Sequence, residues 1–172
     1  MNEKKEKYLT AVLIAITCIA ISVTIWALFI RKPEQILTPD YAPVEVEAHA
    51  ETMQDEEEEG KLEQQEGGGA VSLMYSTEVS IGKSDKTVSL LFGNPSKSNQ
   101  DMVVQIVVQD TILVQSGLLK PGSQVTSLDI ADTSMLQPGT YEGTFKVLYY
   151  QPDSGEKAIV NTEIPIEITV SE

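Results

Sequence analysis

Few side chains in this 172-residue sequence have the chemistry for catalysis, and they stand apart from one another. A serine or cysteine nucleophile needs a positioned base, usually an imidazole. The one histidine, His49, lies in an acidic stretch, and the one cysteine, Cys18, lies in an uncharged apolar run. The same shortage of imidazole and thiolate removes transition-metal sites, and a lone cysteine forms no disulfide within the chain. The run Asp55-Glu56-Glu57-Glu58-Glu59 offers carboxylates to a cation, but it lacks the spaced Asp/Asn positions and the glycine that fix a calcium loop. A plain spacer is the alternative reading of that run. Gly67-Gly68-Gly69 is followed by strand-like sequence without the lysine of a phosphate loop. No catalytic, cofactor-binding or metal-binding residue is therefore assigned, and a non-enzymatic role is expected.

Four segments would have to position whatever function the chain has. Residues 1–7 form a short basic tail with Lys4, Lys5 and Lys7. From Tyr8 to Ile30 no charge occurs, and a helix of that length reaches roughly 34 Å at about 1.5 Å per residue, enough to cross a ~30 Å hydrocarbon core. No small-x-small cleavage site closes the run, so 8–30 is expected to be an uncleaved signal anchor rather than a removed leader. The basic tail ahead of it predicts a cytoplasmic N-terminus and a C-terminal domain outside the plasma membrane.

Residues 31–69 change character. Between 33 and 69 twelve acidic residues face Lys61 alone, a balance of -11 within a chain of net charge -14. With few large apolar groups to offset the entropy of ordering, 31–69 is expected to be a disordered, self-repelling acidic linker. The overall charge also argues against nucleic acid as a partner, and nothing implies a small-molecule substrate.

Residues 70–172 switch to period-two alternation punctuated by turns such as Asn94-Pro95-Ser96, Lys120-Pro121-Gly122 and Gln137-Pro138-Gly139. About seven strands can be read, each with one apolar face, which predicts an all-β fold: an antiparallel sandwich around a shared core. Pro165 has no N–H for a ladder, so its strand is expected at an edge or at a bulge.

Leu136-Gln137-Pro138-Gly139-Thr140-Tyr141 resembles the corner between the fifth and sixth strands of immunoglobulin-like domains on bacterial surface proteins of Gram-positive type. Leu90-Leu91-Phe92-Gly93-Asn94-Pro95-Ser96 resembles the strand and Asn-Pro turn that open many such domains. The resemblance implies an immunoglobulin-like β-sandwich ectodomain over 70–172, with Tyr141 as a structural corner tyrosine bonded back to nearby backbone; an ordinary core tyrosine is the plainer alternative. The chain departs from wall-attached members in ending at Thr169-Val170-Ser171-Glu172 without a sorting motif, which leaves the membrane helix as the expected anchor. A non-enzymatic surface protein follows, engaged in extracellular protein interaction or adhesion. The alternative is an accessory subunit of an adhesin, pilus or secretion assembly. One sheet would present Val103, Val107, Leu113, Leu148 and Tyr150 outward as a candidate partner face. Outward valine chosen only for strand propensity is the bland counterpart.

Overall fold

A computed structural model describes residue 8 and residues 12–22, 38–53, 60–64, 66, 68–82, 85–130 and 136–172. The chain divides into two compact units, Met1–Ile36 and Leu37–Glu172. In the first, residues 12–22 are helical; the segment is uncharged and carries Ile14, Ile16, Ile19 and Ile21. Among the described residues no helix is long and apolar enough to cross a membrane. The remainder of the expected 8–30 span, and the basic tail 1–7, lie outside the described residues.

Among its described residues, the regular structure of the second unit is all β. Its strands are β1 (Glu51–Thr52), β2 (Met74–Tyr75), β3 (Glu78–Gly82), β4 (Thr87–Asn94), β5 (Asp101–Val108), β6 (Thr111–Gln115), β7 (Ser123–Asp129), β8 (Gly139–Tyr150) and β9 (Lys157–Ser171). The seven strands expected from alternation are all found among these, the first of them, expected from Val71 to Ile81, being divided into β2 and β3. They form one sheet in the order β1-β7-β4-β3-β9-β8-β5-β6, with β2 also on β4. The expectation of a purely antiparallel arrangement is corrected at one place: β3 runs parallel to β9, from Glu78↔Glu167 to Gly82↔Ser171. That ladder joins what would otherwise be two sheets. A bridge between Val114 and Ile130 brings the far ends of the path together, so the sheet curls around its apolar face.

Inside the curl lies one core to which β3 to β9 all contribute. Strict alternation explains most of it: Ile164, Ile166, Ile168 and Val170 face inward while Glu163, Glu167 and Thr169 face out. Phe92 on β4 meets Phe145 on β8 edge-on, with ring centroids 5.8 Å apart and planes at 65°, the geometry that aromatic quadrupoles favour. Asn94 is fully buried, and its Nδ2 donates to Gln100 O at 2.9 Å and Leu119 O at 3.0 Å.

Asp101, at the head of β5, is buried beside Tyr150 in the ladder. Burial raises its carboxyl above the ordinary aspartate range, and the nearby Lys120 and Lys61 pull it back in part. A carboxyl raised in the fold binds its proton more tightly there than in the unfolded chain. The ionised form therefore costs stability once the pH exceeds about 4, and nothing below that. Asp101→Asn is expected to raise the melting temperature at pH 7, with the gain shrinking to zero as the pH falls below about 4. Thermal unfolding across pH 3 to 8 reads this, and a gain that persists undiminished at pH 3 contradicts it.

Residues 38–53, expected to belong to a disordered linker, instead lie along the domain as a strap. Lys157 N–H donates to Asp40 O at 2.9 Å and Ala42 N–H to Gly155 O at 2.8 Å; Leu118 N–H donates to Glu45 O at 3.0 Å and Glu47 N–H to Leu118 O at 3.1 Å. Glu51 and Thr52 pair with Gln124 and Ser123 of β7. Contact is so close at Gly117 that a Cβ there would come within 2.8 Å of Glu47 Cα and N, and only glycine fits. The acidic composition of the strap is no obstacle, because it is held by backbone hydrogen bonds to a preformed sheet and by the apolar side chains it covers there, rather than by a core of its own. Glu56 to Glu59, the heart of the acidic run, lie outside the described residues.

Candidate functional site

The outer face of the sheet across β5, β8, β9 and β3 is the site the fold offers. Register places Val103 beside Leu148, Gln105 beside Lys146 and Glu163, and Val107 beside Thr144 and Pro165. Glu142, Glu167 and Glu78 then stand side by side on three adjacent strands. The face divides into two halves with different fates.

In the first half, the candidate partner residues Val103, Leu148 and Tyr150 are at most 1% exposed and form a small second core with Leu118 and Ala42. Tyr150 Oη donates to Pro39 O at 3.2 Å. Their expected exposure is corrected: the strap covers them, which is the usual fate of an apolar patch in a folded unit. Leu113 is also buried, for a different reason. A bulge between the pairs Ile106↔Val114 and Val107↔Ile112 inserts Leu113 into β6 and reverses the side-chain phase. Leu113 thereby enters the main core and Ile112 takes the face that alternation gave to Leu113.

In the second half, Val107 remains partly exposed on the floor of an open groove of about 770 Å³. Short side chains make the depression: Val107, Thr144 and Pro165. Beneath it, on the core side, a Cβ on Gly143 would come within 2.7 Å of Ile168 Cδ1 and 3.3 Å of Val107 O, so a larger residue there needs the Ile168 side chain and the neighbouring strand to give way. One end is closed by the β5–β6 hairpin turn, where Gln109 (φ 49°) and Asp110 (φ 62°) adopt the left-handed conformation of a two-residue turn. Glu78, Glu142 and Glu167 form the wall, and among the described residues no lysine or arginine lines the groove. Like charges directly opposite one another on neighbouring strands oppose folding, so this rung is a liability unless something of opposite charge meets it. Lys146, two positions along β8 from Thr144, has its Nζ 3.7 Å from Glu163 Oε1.

The carboxylates do not converge as metal ligands. Among the described residues no three imidazole, thiol or carboxylate groups gather closely enough to hold a metal ion. His49 belongs to the strap, where its Nε2 lies 3.3 Å from Asp129 Oδ1 and its N–H donates to Glu47 Oε1 at 2.9 Å. Gln137 N–H donates to Tyr141 Oη at 2.9 Å and the hydroxyl donates to Gln137 O at 2.8 Å. This ties the tyrosine to the turn that precedes β8.

Sequence reasoning missed the glutamate rung. Each glutamate is visible at an outward strand position, but their adjacency depends on a register set by β3 joining β9, a pairing between segments far apart in the chain.

No protein-family model matches this sequence, and no curated protein does. Among solved structures, the chain is similar to AggA, the major subunit of aggregative adherence fimbriae type I from Escherichia coli, at 12% identity and a TM-score of 0.29, covering 66% of this chain and 100% of that one. It is also similar to the periplasmic chaperone SfaE, at 14% identity and a TM-score of 0.34, covering 59% of this chain and 56% of that one.

Proposed function

We propose that this chain is a membrane-anchored, non-catalytic interaction protein whose immunoglobulin-like sandwich, held outside a bacterial plasma membrane, binds a protein partner in the open groove of its outer sheet face. The observation that carries the reading is the wall of Glu78, Glu142 and Glu167 beside an apolar floor of Val107 and Pro165, on a face whose other half is already covered. An apolar floor rimmed by like charges is the composition of a recognition surface rather than of a solvated strand face. Two features of the sequence support the anchor and its orientation. They are the uncharged run from Tyr8 to Ile30 and the lysines that precede it. The order Glu78 to Ser171 of strands and the parallel clasp of β3 on β9 support the sandwich.

A photoreactive side chain placed at Thr144, on the groove floor, tests the site in intact cells. It is expected to give a discrete polypeptide adduct, while the same group at Ser89, exposed on β4 away from the groove, gives none. Equal labelling from both positions, or none from Thr144, overturns the groove as the binding site.

A further inference from the structure

β9 is long, and only part of it has a neighbour on each side. β8 follows it from Lys157 to Val170. On the opposite edge β3 pairs only with Glu167–Ser171, and the strap reaches only Lys157, through its N–H to Asp40 O. Among the described residues, the edge between those two contacts carries no strand. Glu167 N–H donates to Thr77 O on this edge. Because the register is regular from Asn161 to Val170, alternation sends the N–H and C=O of Asn161 and Glu163 out on the same side. At Pro165, the next position in that series, there is no N–H to leave unpaired, which accords with its place at an open edge.

Proteins usually blunt such edges with charges, prolines or short length. Here one proline and one bulge, between Leu148 and Tyr150, bracket the edge, yet Ile159 is fully exposed and Val160 is 68% exposed just beyond Asn161. The edge also opens onto the groove, since Thr77, Pro165 and Glu167 line both.

We infer that the free edge of β9 from Asn161 to Pro165 takes up a strand from the protein partner, an extended segment alternating apolar residues with lysine or arginine. This rests on the groove being the binding site and names the part of the partner that docks along its β9 border. A strand added here lies in line with β3. Its inward positions fall beside Thr162 and Ile164, on the core side of β9. Its outward positions fall beside Glu163 and run toward Glu78, Glu142 and Glu167. Main-chain hydrogen bonds supply affinity, and the outward row selects for positive charge. The charge also decides against a second copy as the occupant. Each chain carries -14 overall, and a copy paired through this edge brings another Glu163 and no cation except Lys157 and Lys146.

The test uses the full chain in a non-ionic detergent with three synthetic octapeptides: alternating Val-Lys, alternating Val-Glu, and Val-Lys with alternate backbone nitrogens methylated. The Val-Lys peptide is expected to bind, with affinity falling as salt is added, and to slow amide exchange at Asn161 and Glu163. The Val-Glu peptide and the methylated peptide, which keeps its charge but loses its ladder donors, are each expected to bind at least tenfold more weakly. Glu163→Pro removes an outward N–H without touching the β8 ladder, so it is expected to melt within a few degrees of the parent and to lose the Val-Lys peptide. Equal binding of the methylated peptide means attraction by charge alone and overturns strand addition. Concentration-dependent protection of Asn161 and Glu163 with no peptide present means the edge is taken by a second copy and overturns it too. If these fail while the Thr144 adduct persists, the groove remains the binding site and only its proposed occupant is wrong.

Discussion

A fragment starting at residue 70 is expected to melt about 10–20 °C below one starting at residue 38. Most of the difference lies in what the strap covers, and a smaller part in the bonds of Leu62 N–H to Lys97 O and Lys61 Nζ to Ser98 O, which the shorter fragment also loses. Val103, Leu148 and Tyr150 are almost wholly buried beneath residues 38–53, and full burial of such side chains stabilises by about 1.5–3 kcal/mol each. The sheet itself shields part of each, so about 3–5 kcal/mol is assigned to the strap, a large share of the roughly 5–15 kcal/mol that holds a domain together. At about 3–5 °C per kcal/mol for a unit of this size, the stated shift follows. The shorter fragment is also expected to bind a hydrophobic dye and to associate as its concentration rises, because Leu148 and Tyr150 become an exposed patch. Calorimetry of the two fragments decides the matter. Melting points within about 2 °C of one another would mean the strap merely rests on the sheet.

The second large effect concerns Asn94. Its Nδ2 reaches two carbonyls in different segments, Gln100 O ahead of β5 and Leu119 O ahead of β7, and the residue has no exposure to water. Leu119 O keeps a second donor, Met102 N–H at 2.9 Å, so the deeper loss in Asn94→Ala falls on Gln100 O. A buried acceptor left unpaired costs about 1–3 kcal/mol. The small void left by the shorter side chain adds to this, for a total of about 2–4 kcal/mol. Asn94→Asp is expected to be worse at pH 7, since a carboxylate has nothing to donate and faces two carbonyl oxygens. The introduced carboxyl is held above its unfolded value, so the deficit is full at neutral pH and is relieved as the pH falls and the group takes up a proton. Denaturant unfolding of both variants at pH 7 and pH 4.5 checks this. A deficit in Asn94→Asp that is unchanged or larger at pH 4.5, or an Asn94→Ala loss below about 0.5 kcal/mol, contradicts the bridging role.

These two residue sets also mark where the sequence is legible. Alternation placed β3 to β9, because a half-buried strand must repeat every two residues. Pro165 announced an edge because its missing N–H allows little else. Asn94 was readable as a turn residue, but nothing local tells that its amide spans to Leu119. Leu113 defeated the pattern because a bulge is a one-residue change of phase with no compositional mark. The strap was hidden by the rule that acidic, apolar-poor segments do not fold. That rule concerns segments that must build their own core, whereas this one is bound by a sheet that already exists; Val44, its most exposed apolar residue, packs on nothing, being 99% exposed. The groove's charge was legible as glutamates, and its geometry was not, because the register comes from the β3–β9 clasp.

That clasp has a mechanical consequence. β3 enters it at Glu78 and β9 leaves it at Ser171, so the two strands run in the same direction with five pairs between them, from Glu78↔Glu167 to Gly82↔Ser171. Once the strap, β1 and β2 have been drawn off, tension between the chain's two ends would pull β3 back toward Glu78 and β9 onward past Ser171, in opposite senses along the ladder. Its hydrogen bonds would then be loaded together in shear instead of being unzipped one after another, and rupture would require several to fail at once. A domain closed in this way resists stretching between its ends more than its modest number of strand pairs suggests.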